Sequence, residues 1–190
     1  MLRLYDADRC PYCARVRIVL AEKDVDYEPV IVDLDDRPAW IYEKNPAGRV
    51  PVLEDGALVL PESVAIMEYL EERHPEPPLL PPDAGARGLA RAAIARFDRL
   101  SSAYYALRRG DESARPRLEA RLTELDQTLA RAPYLAGDTY GLADIAYLPW
   151  LLRVQARLGV DLDAFPAVAD WVERVSERPA VARELQLAAV

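Results

Sequence analysis

A short proline-rich segment divides the chain into two halves with different sequence patterns. Residues 74–83 read HPEPPLLPPD and contain five of the sixteen prolines. Proline lacks a backbone N–H donor and has a fixed φ, so such a run ends a helix and stiffens the connection that follows. A length of 190 residues allows two domains of modest size. The sequence therefore predicts one domain at residues 1–75, a linker at residues 76–85 and a second domain at residues 86–190.

The first half alternates short apolar strands with helices. Strands are predicted at Leu2–Tyr5 and Tyr27–Asp33, and an apolar helix between them begins at the motif CPYC, residues 10–13. Farther along, residues 54–56, with the sequence EDG, separate two more strands as a hairpin turn. The spacing of apolar residues predicts a helix over Ser63–Glu72. An α/β layer with a mixed sheet fits this order of elements.

The second half has the pattern of an all-helical domain. Apolar residues recur every three or four positions from Leu89 to Leu107, and again from Leu118 to Leu129. These stripes predict helices that bury one face in a core. Gly141–Val154 is apolar on nearly every side, which predicts a central buried helix.

Charge and composition exclude several classes of function. The formal net charge of −8 disfavours binding to the phosphates of nucleic acid. One stretch is locally basic, with nine basic and four acidic residues between positions 87 and 121. No apolar run approaches the roughly 20 residues of a membrane helix, and the first residues lack the pattern of a secretory signal. We therefore expect a cytoplasmic protein that engages neither membranes nor nucleic acid.

The two cysteines, Cys10 and Cys13, are the residues that point most directly to chemistry. A metal site needs three or four ligands, and the single histidine, His74, is distant in sequence, so no metal centre is expected. A Cys-x-x-Cys pair at a strand-to-helix junction is typical of thiol redox chemistry. Backbone N–H groups and the helix dipole stabilise a thiolate where a helix begins. We therefore expect Cys10 to be the attacking thiol and Cys13 to be an optional resolving thiol.

Four sequence blocks give the chain a resemblance to a known superfamily. They are CPYCARVRIVLAEKDV, RPAWIYEKNPAGRVPVLEDG, LPESVAIMEYLEERHPEPPLLP and YLAGDTYGLADIAYLPWL. Together they resemble the glutathione transferase superfamily, which implies an α/β thioredoxin-like N-terminal domain followed by an all-α C-terminal domain. The cysteine motif, which is of the glutaredoxin type, and the RPAW segment look most like the omega class. The segments RVRIVLAEK and IMEYLEERHP also look like stringent starvation protein A, a relative that usually lacks the cysteine.

The resemblance also implies a set of glutathione-binding positions. Val50–Pro51 matches the family's cis-proline step, where the backbone of Val50 pairs with the cysteinyl part of glutathione as a short added strand does. Glu62 and Ser63 match the pair that holds the γ-glutamyl end, although the same residues also suit an ordinary helix cap. Arg37 stands where omega-class relatives place a basic residue near the glycyl carboxylate, and is otherwise a surface arginine.

Two further positions bear on the resemblance. Gly141 stands where the family usually has Ser or Thr, so the reciprocal capping box of the helix that follows is incomplete. Asp144 is still expected to accept hydrogen bonds from backbone N–H groups there. Tyr5 is a candidate for the hydroxyl that activates glutathione in tyrosine-type relatives, but it lies before the cysteine loop, and Cys10 fits the catalytic position better.

Three functions are consistent with these residues. The leading hypothesis is a glutathione-dependent thiol transferase or reductase of disulfides or dehydroascorbate, in which Cys10 forms a mixed disulfide that a second glutathione releases. The second is a transferase that conjugates glutathione to electrophiles. Both would use glutathione and a small electrophilic or disulfide substrate. The third is a non-enzymatic regulator that binds RNA polymerase, as stringent starvation protein A does. The resemblance also implies a homodimer.

Overall fold

The chain forms two units of different architecture in a computed structural model that describes residues 1–189. The first unit is Met1–Pro78, and the second begins at Leu79. This division lies inside the proline-rich segment, between a helix that ends at Arg73 and a helix that begins at Ala84. Within the described residues, no helix has the length and apolar character needed to span a bilayer.

A four-stranded mixed sheet with three helices forms the first unit. Its elements in chain order are β1 Leu2–Asp6, α1 Pro11–Glu22, β2 Tyr27–Ile31, α2 Ile41–Lys44, β3 Val52–Asp55, β4 Leu58–Pro61 and α3 Ser63–Arg73. The strand order is β2-β1-β3-β4, with β1 and β2 parallel and the other two pairs antiparallel. Helices α1 and α3 pack against each other. The thioredoxin-like architecture predicted for this half is confirmed.

Helix α1 is buried on nearly all sides, and two arginines lie within its buried part. Pro11 begins the helix, where its missing N–H would be unpaired in any case. Residues 13–20 are all buried. A buried guanidinium needs polar partners to offset its lost hydration. Arg15 donates to Ser63, and Arg17 forms an ion pair with Asp6, so both partners lie in the first unit.

Strand β2 is shorter and more exposed than the sequence predicts. The strand ends at Ile31 and lies at the edge of the sheet, where Glu28, Pro29 and Ile31 are exposed. A proline is tolerated there because an edge strand need not donate hydrogen bonds on both sides. The prediction of a buried strand over Tyr27–Asp33 is therefore wrong, although Val32, just beyond the strand, is buried.

The hairpin predicted around residues 54–56 is present. Strands β3 and β4 pair antiparallel with Asp55 opposite Leu58, so the turn consists of Gly56 and Ala57. Gly56 has a φ of +60°, a left-handed conformation that glycine adopts without steric cost. The glycine in the turn and the pairing of the two strands thus favour the same two-residue turn.

The second unit is all-helical, as predicted. Its helices are α4 Ala84–Ala95, α5 Asp98–Arg108, α6 Arg115–Leu129, α7 Leu142–Leu158, α8 Pro166–Ser176 and α9 Ala182–Ala189, with short 3-10 turns at Glu112–Ala114, Leu162–Ala164 and Pro179–Val181. Residues 142–154 of α7 are all buried. Helix α7 is therefore the central buried helix that the apolar sequence of this segment predicts.

The apolar stripe from Leu89 to Leu107 is not continuous in the structure. The helix is interrupted at residues 96–97, between α4 and α5. Helix α4 buries Ala90 and Ile94, whereas Leu89 is 68% exposed. The prediction that Leu89 belongs to the core is therefore wrong, because α4 buries the face that carries Ala90 and Ile94.

The buried carboxylate of Asp144 joins the start of α7 to two other parts of the second unit. Its Oδ1 accepts hydrogen bonds from the Leu135 N–H at 3.0 Å and from Trp171 Nε1 at 2.8 Å. Its Oδ2 accepts from the Gly141 N–H at 3.0 Å. This last bond is the expected half of the capping box, and glycine has no side chain with which to supply the other half.

The structure also explains why a glycine precedes α7. The carbonyl oxygen of Leu79 accepts a hydrogen bond from the Leu142 N–H at 2.9 Å. A Cβ atom at position 141 would lie 2.3 Å from that oxygen, which is closer than real Cβ contacts come. A serine or threonine at this position would require the backbone of Leu79 or of residue 141 to shift, so the close approach of this carbonyl goes together with a glycine.

Replacement of Asp144 by alanine should destabilise the second unit. Asp144→Ala removes three hydrogen bonds and leaves buried donors without an acceptor, so the free energy of unfolding should fall by about 3 kcal/mol. Urea unfolding followed by circular dichroism measures this change. Asp138→Ala, which removes an exposed carboxylate nearby, is the control and should leave the midpoint unchanged. Equal midpoints for the two variants would contradict the role assigned to Asp144.

Candidate functional site

The register of the sheet brings three loop segments of the first unit to one end. Tyr5 of β1 lies opposite Val52 of β3, and Val52 lies opposite Pro61 of β4. Since neighbouring strands here run in opposite directions, the loop after β1, the residues before β3 and the residues after β4 leave the sheet at the same end. Cys10, Val50 and Ser63 belong to these segments.

Cys10 is the N-cap residue of α1. Its backbone is extended, with φ of −85° and ψ of 115°, and the first turn of the helix contains no acidic residue. The N–H groups and the dipole of the helix therefore act on this sulfur without a competing carboxylate in the same turn. The residue is 8% exposed. Its thiol lies 3.9 Å from the carbonyl oxygen of Val50, to which it donates a weak hydrogen bond.

The surroundings of Cys10 lower the pKa of its thiol to about 7. The largest cause is the hydrogen bond that the Cys13 thiol donates to the Cys10 sulfur. The backbone N–H groups of Cys13 and Tyr12 and the charge of Arg17 act in the same direction, while burial of the sulfur opposes them. At neutral pH a substantial fraction of the Cys10 sulfur is therefore thiolate, which is the nucleophilic form of cysteine.

Cys13 lies three residues farther along α1 and is completely buried. Burial raises the pKa of its thiol well above the ordinary value, and the hydrogen bond to Cys10 and the charges of Cys10 and Asp6 raise it further. Cys13 is therefore a neutral thiol that can donate a hydrogen bond. The arrangement favours Cys10 as the attacking sulfur and gives Cys13 the part of a donor to it.

Val50 and Pro51 lie beside the cysteines. The peptide bond between them is cis, as the resemblance implies. Val50 is buried in the same apolar cluster as both cysteines, and the other members of this cluster are Tyr5, Ala7, Val32, Ile41 and Val52. The Val50 backbone is thus next to the Cys10 sulfur, where the resemblance assigns it to the cysteinyl part of glutathione.

Glu62 and Ser63 form the N-terminus of α3. Glu62 is exposed and has a φ of +73°, a left-handed conformation that side chains other than glycine rarely adopt and that is found most often at functional sites. Ser63 is buried. The helix has no side-chain cap and no acidic residue in its first turn. Neither residue therefore caps the helix with its side chain, and a helix start without a side-chain cap is a type of site that can bind an anion.

Arg15 is a residue of this site that the sequence analysis did not identify. It is 2% exposed, and its Nη1 donates to the Ser63 Oγ at 3.2 Å. Its guanidinium carbon lies 5.3 Å from the centroid of the Tyr12 ring. A positive charge next to the Ser63 hydroxyl strengthens this site for a carboxylate. The sequence feature that could have identified Arg15 is its position inside the apolar run ARVRIVLAE. A helix formed by this run has no polar face on which the arginine would be solvated.

The polar groups of two other candidates, Arg37 and Tyr5, interact with different partners, although Tyr5 belongs to the apolar cluster of the cysteines. Arg37 is exposed in the loop before α2, where its charge acts on Asp35, and no hydrogen bond or ion pair joins it to the other candidate residues within residues 1–189. Tyr5 donates its hydroxyl to Glu54 at 2.9 Å, and Glu54 also accepts from Lys44 at 2.6 Å. Burial and the bond to Glu54 raise the pKa of Tyr5, which disfavours it as an activating hydroxyl.

The site therefore combines an ionisable thiol with an open helix start suited to a carboxylate. No group of three histidine, cysteine or acidic side chains that could hold a metal ion occurs in the described part of the chain. The fold and the site together define a two-domain protein with a thiol centre at the end of a thioredoxin-like sheet.

Comparison with family models gives the family. Residues 4–78 match the model of the glutathione S-transferase N-terminal domain, and residues 96–179 match the model of the glutathione S-transferase C-terminal domain. The chain belongs to the glutathione S-transferase family. Members of this family use glutathione as a substrate.

Three curated relatives with different names illustrate what the chain is similar to. The chain is 35% identical to pyrimidodiazepine synthase of Drosophila melanogaster, over 95% of this chain and 79% of the relative. It is 30% identical to glutathione S-transferase omega-1 of Rattus norvegicus, over 94% and 78%. It is 37% identical to the stringent starvation protein A homolog of Pasteurella multocida (strain Pm70), over 94% and 87%. The two relatives named from sequence blocks are thus both found.

Solved structures agree with the fold. A delta-class glutathione transferase of Nilaparvata lugens superposes with a TM-score of 0.90 at 26% identity, over 100% of this chain and 95% of that one. Glutathione transferase Omega 3C from Trametes versicolor superposes with a TM-score of 0.85 at 27% identity, over 96% and 88%. The glutathione transferase fold predicted from the sequence is confirmed.

The pH dependence of alkylation should report the hydrogen bond between the two thiols. Only thiolate reacts, so the rate of Cys10 alkylation by iodoacetamide should rise with pH through a midpoint near 7. Cys13→Ala removes the largest cause of the lowered pKa, and the midpoint should move toward the ordinary range of about 8.5. Mass spectrometry of the modified peptide measures the rate.

The matched control for this titration is Cys10→Ser, in which Cys13 should react slowly over the same pH range because its pKa is raised. A wild-type midpoint above about 8.5, or an unchanged midpoint in Cys13→Ala, would contradict the assigned geometry.

Proposed function

We propose that the chain is a glutathione-dependent thiol transferase or disulfide reductase. The observation that carries this proposal is the thiol of Cys10, which lies at the start of α1 with its pKa lowered to about 7. Conjugation of glutathione to an electrophile requires a group that stabilises the thiolate of glutathione itself, usually a serine or tyrosine hydroxyl. An ionised cysteine at the same position instead forms a disulfide with glutathione.

The reaction consists of two exchanges between thiols and disulfides. The Cys10 thiolate attacks the glutathione sulfur of a glutathionylated substrate, a bond forms between Cys10 and glutathione, and the substrate leaves as its thiol. The thiolate of a second glutathione then attacks the glutathione sulfur of this adduct. Oxidised glutathione is released, and the Cys10 thiolate is restored. A low pKa helps both steps, because it raises the thiolate fraction in the first and makes Cys10 a good leaving group in the second.

The assignment of glutathione to the site uses the open start of α3. The γ-glutamyl carboxylate would accept hydrogen bonds from the Ser63 hydroxyl and the first N–H groups of the helix, with the charge of Arg15 nearby. Glu62 would accept from the α-ammonium group, and the Val50 backbone would pair with the cysteinyl residue. Arg37 is proposed for the glycyl carboxylate. Reduction of a dehydroascorbate-type substrate would start from the same thiolate.

Incubation with oxidised glutathione tests the central step. The wild-type protein should gain one glutathione at Cys10, because its thiolate exchanges with the added disulfide. Cys10→Ser should gain none and should lose thiol transferase activity. Cys13→Ser, the matched cysteine variant, should keep the adduct at Cys10. Mass spectrometry of intact and digested protein measures the outcome. A wild-type protein without an adduct at Cys10 would contradict the proposal.

Removal of the Ser63 hydroxyl should weaken binding of the γ-glutamyl carboxylate specifically. Ser63→Ala should lower the affinity for S-methylglutathione about tenfold, since a hydrogen bond to a charged group contributes roughly 1.5–3 kcal/mol. An analogue without the α-carboxylate should bind wild type and variant alike. Ser102→Ala, an exposed serine of α5, serves as the control. Calorimetry measures the affinities, and an equal loss for both ligands would refute this placement.

The proposal also covers the localisation, the metal requirement and the oligomeric state of the protein. We assign it to the cytoplasm, without a metal, as a homodimer of the kind that is common in the family. The first unit is rich in acidic residues, and the stretch from position 87 to 121 is basic. Opposite charges on two surfaces of the same chain favour association between two copies.

Two other functions each have an observation in their favour. The match to the stringent starvation protein A homolog of Pasteurella multocida favours a non-enzymatic regulator that binds RNA polymerase. Retention of polymerase by a protein that forms no glutathione adduct would select it. The match to glutathione S-transferase omega-1 of Rattus norvegicus also fits a transferase that conjugates glutathione to electrophiles, which parallel assays with an aryl halide and a mixed disulfide would separate from thiol exchange.

A further inference from the structure

A buried ion pair lies next to the two cysteines, and the function proposed above does not use both of its charges. Asp6, the last residue of β1, and Arg17 of α1 are both buried and contact each other directly. Arg17 also donates to the carbonyl oxygens of Ala7 at 3.3 Å and Asp8 at 3.4 Å. The pair thus joins the loop that leads to Cys10 to the helix that follows it.

The two charges of this pair act on different sulfurs. The Ala7 N–H donates to the Asp6 carboxylate at 2.7 Å, and the Ala7 carbonyl accepts from both Arg17 and the Cys10 N–H. Ala7 lies in the apolar cluster that contains both cysteines, so the ion pair is joined to the cysteines through this residue. The charge of Asp6 opposes ionisation of Cys13, whereas the charge of Arg17 favours ionisation of Cys10. Such effects are strong in a buried site because the surrounding medium has a low dielectric constant.

The carboxylate of Asp6 is incompletely paired. Its Oδ2 is buried and accepts no hydrogen bond from the residues that the structure describes. A buried ion pair contributes little net stability, because loss of hydration offsets much of the attraction, and an unsatisfied buried acceptor adds a further cost. Apolar residues of similar volume would fill this space at least as well. Net stability therefore does not by itself account for a charged pair at this position.

We propose that the Asp6–Arg17 pair assigns different roles to the two cysteines, keeping Cys13 a neutral thiol and Cys10 the thiolate, so that the motif works with a single reactive sulfur. The proposal rests on the thiol transferase function, because it concerns the fate of the mixed disulfide. Asp6 is a positioning residue in this scheme, since it acts on Cys13 and does not touch the substrate.

Ring closure is the step that the pair would slow. In this step the Cys13 sulfur loses its proton and attacks the Cys10 sulfur of the mixed disulfide. A bond forms between the two cysteines, the bond from Cys10 to glutathione breaks, and glutathione leaves as a thiolate that takes up a proton. With Cys13 held as a thiol, a second glutathione releases the adduct before the ring can close.

A bis(nitrobenzoate) disulfide, which releases a coloured thiolate, tests the proposal without glutathione. Attack by Cys10 forms a mixed disulfide and releases one equivalent of the coloured thiolate. Attack by Cys13 on the Cys10 sulfur then closes the ring and releases a second equivalent, so the reagent oxidises the two thiols overall. The wild-type protein should release one equivalent quickly and the second slowly.

Asp6→Asn removes the charge and keeps the shape and an acceptor for the Ala7 N–H. The second release should become at least about threefold faster, because the thiolate fraction of Cys13 rises about tenfold for each unit by which its pKa falls, while its nucleophilicity falls by less. Asp26→Asn, which alters an exposed carboxylate before β2, should behave as wild type. Addition of Cys13→Ser to Asp6→Asn should abolish the second release.

A second variant keeps the proposal testable if Asp6→Asn does not fold. Asp6→Asn combined with Arg17→Gln replaces the ion pair with two amides, and it should speed the second release and slow the first. The proposal is overturned if a folded variant keeps the slow second release, if both wild-type releases are equally fast, or if neither variant folds. A wild-type protein that forms no glutathione adduct but still shows a slow second release would refute the thiol transferase and support the roles assigned here.

Discussion

The position of the two thiols at the first turn of α1, where Cys13 lowers the pKa of Cys10, is the constraint on which the chemistry of the site depends. Cys10 is the N-cap of α1, and Cys13 stands at the third position of the helix, so helical geometry alone brings the two side chains to one face. The same turn presents N–H groups to the Cys10 sulfur and buries Cys13 completely. A difference of three positions in sequence thereby becomes a large difference in acidity.

The sheet, and not helix α1, determines where the other residues of the site lie. Because β1 is central, with β2 on one side and β3 on the other, the loop that carries Cys10 emerges beside Val50. The hairpin of β3 and β4 then returns the chain to the same end at Ser63. The thiol and the helix start that we propose to bind a carboxylate are therefore placed by strand register and require no long loops to meet.

The sequence predicted those parts of the fold whose cause is local. Strand β1, the Gly56 turn, α3 and the buried α7 follow from periodicity, turn chemistry and capping over a few residues. Errors arose where tertiary context decides. The exposure of β2 depends on its place at the sheet edge, and the exposure of Leu89 depends on which face of α4 packs against the rest of its unit. Neither the edge position of β2 nor the exposure of Leu89 can be read from the local pattern of apolar residues.

The residues of the candidate site also divide into those that the sequence identified and those that depend on the tertiary fold. Cys10 was identifiable from its motif, and Val50, Pro51, Glu62 and Ser63 from the resemblance. Arg15, Asp6 and Arg17 were missed, because a charged residue in a helix usually predicts a solvated face, and burial with a partner from another element is set by the tertiary fold. The left-handed backbone of Glu62 was also beyond reach, since no local rule assigns that conformation to a glutamate.

The contact between Leu79 and Gly141 has a consequence for the design of chimeras. The carbonyl of the proline-rich connector occupies the space in which any side chain at position 141 would lie. In a chimera, the connector and the start of α7 must therefore come from the same parent protein. A recombinant that takes its connector from one parent and its helical domain from another will assemble only when the two parents agree at these distant positions, so the natural crossover point lies upstream of Leu79.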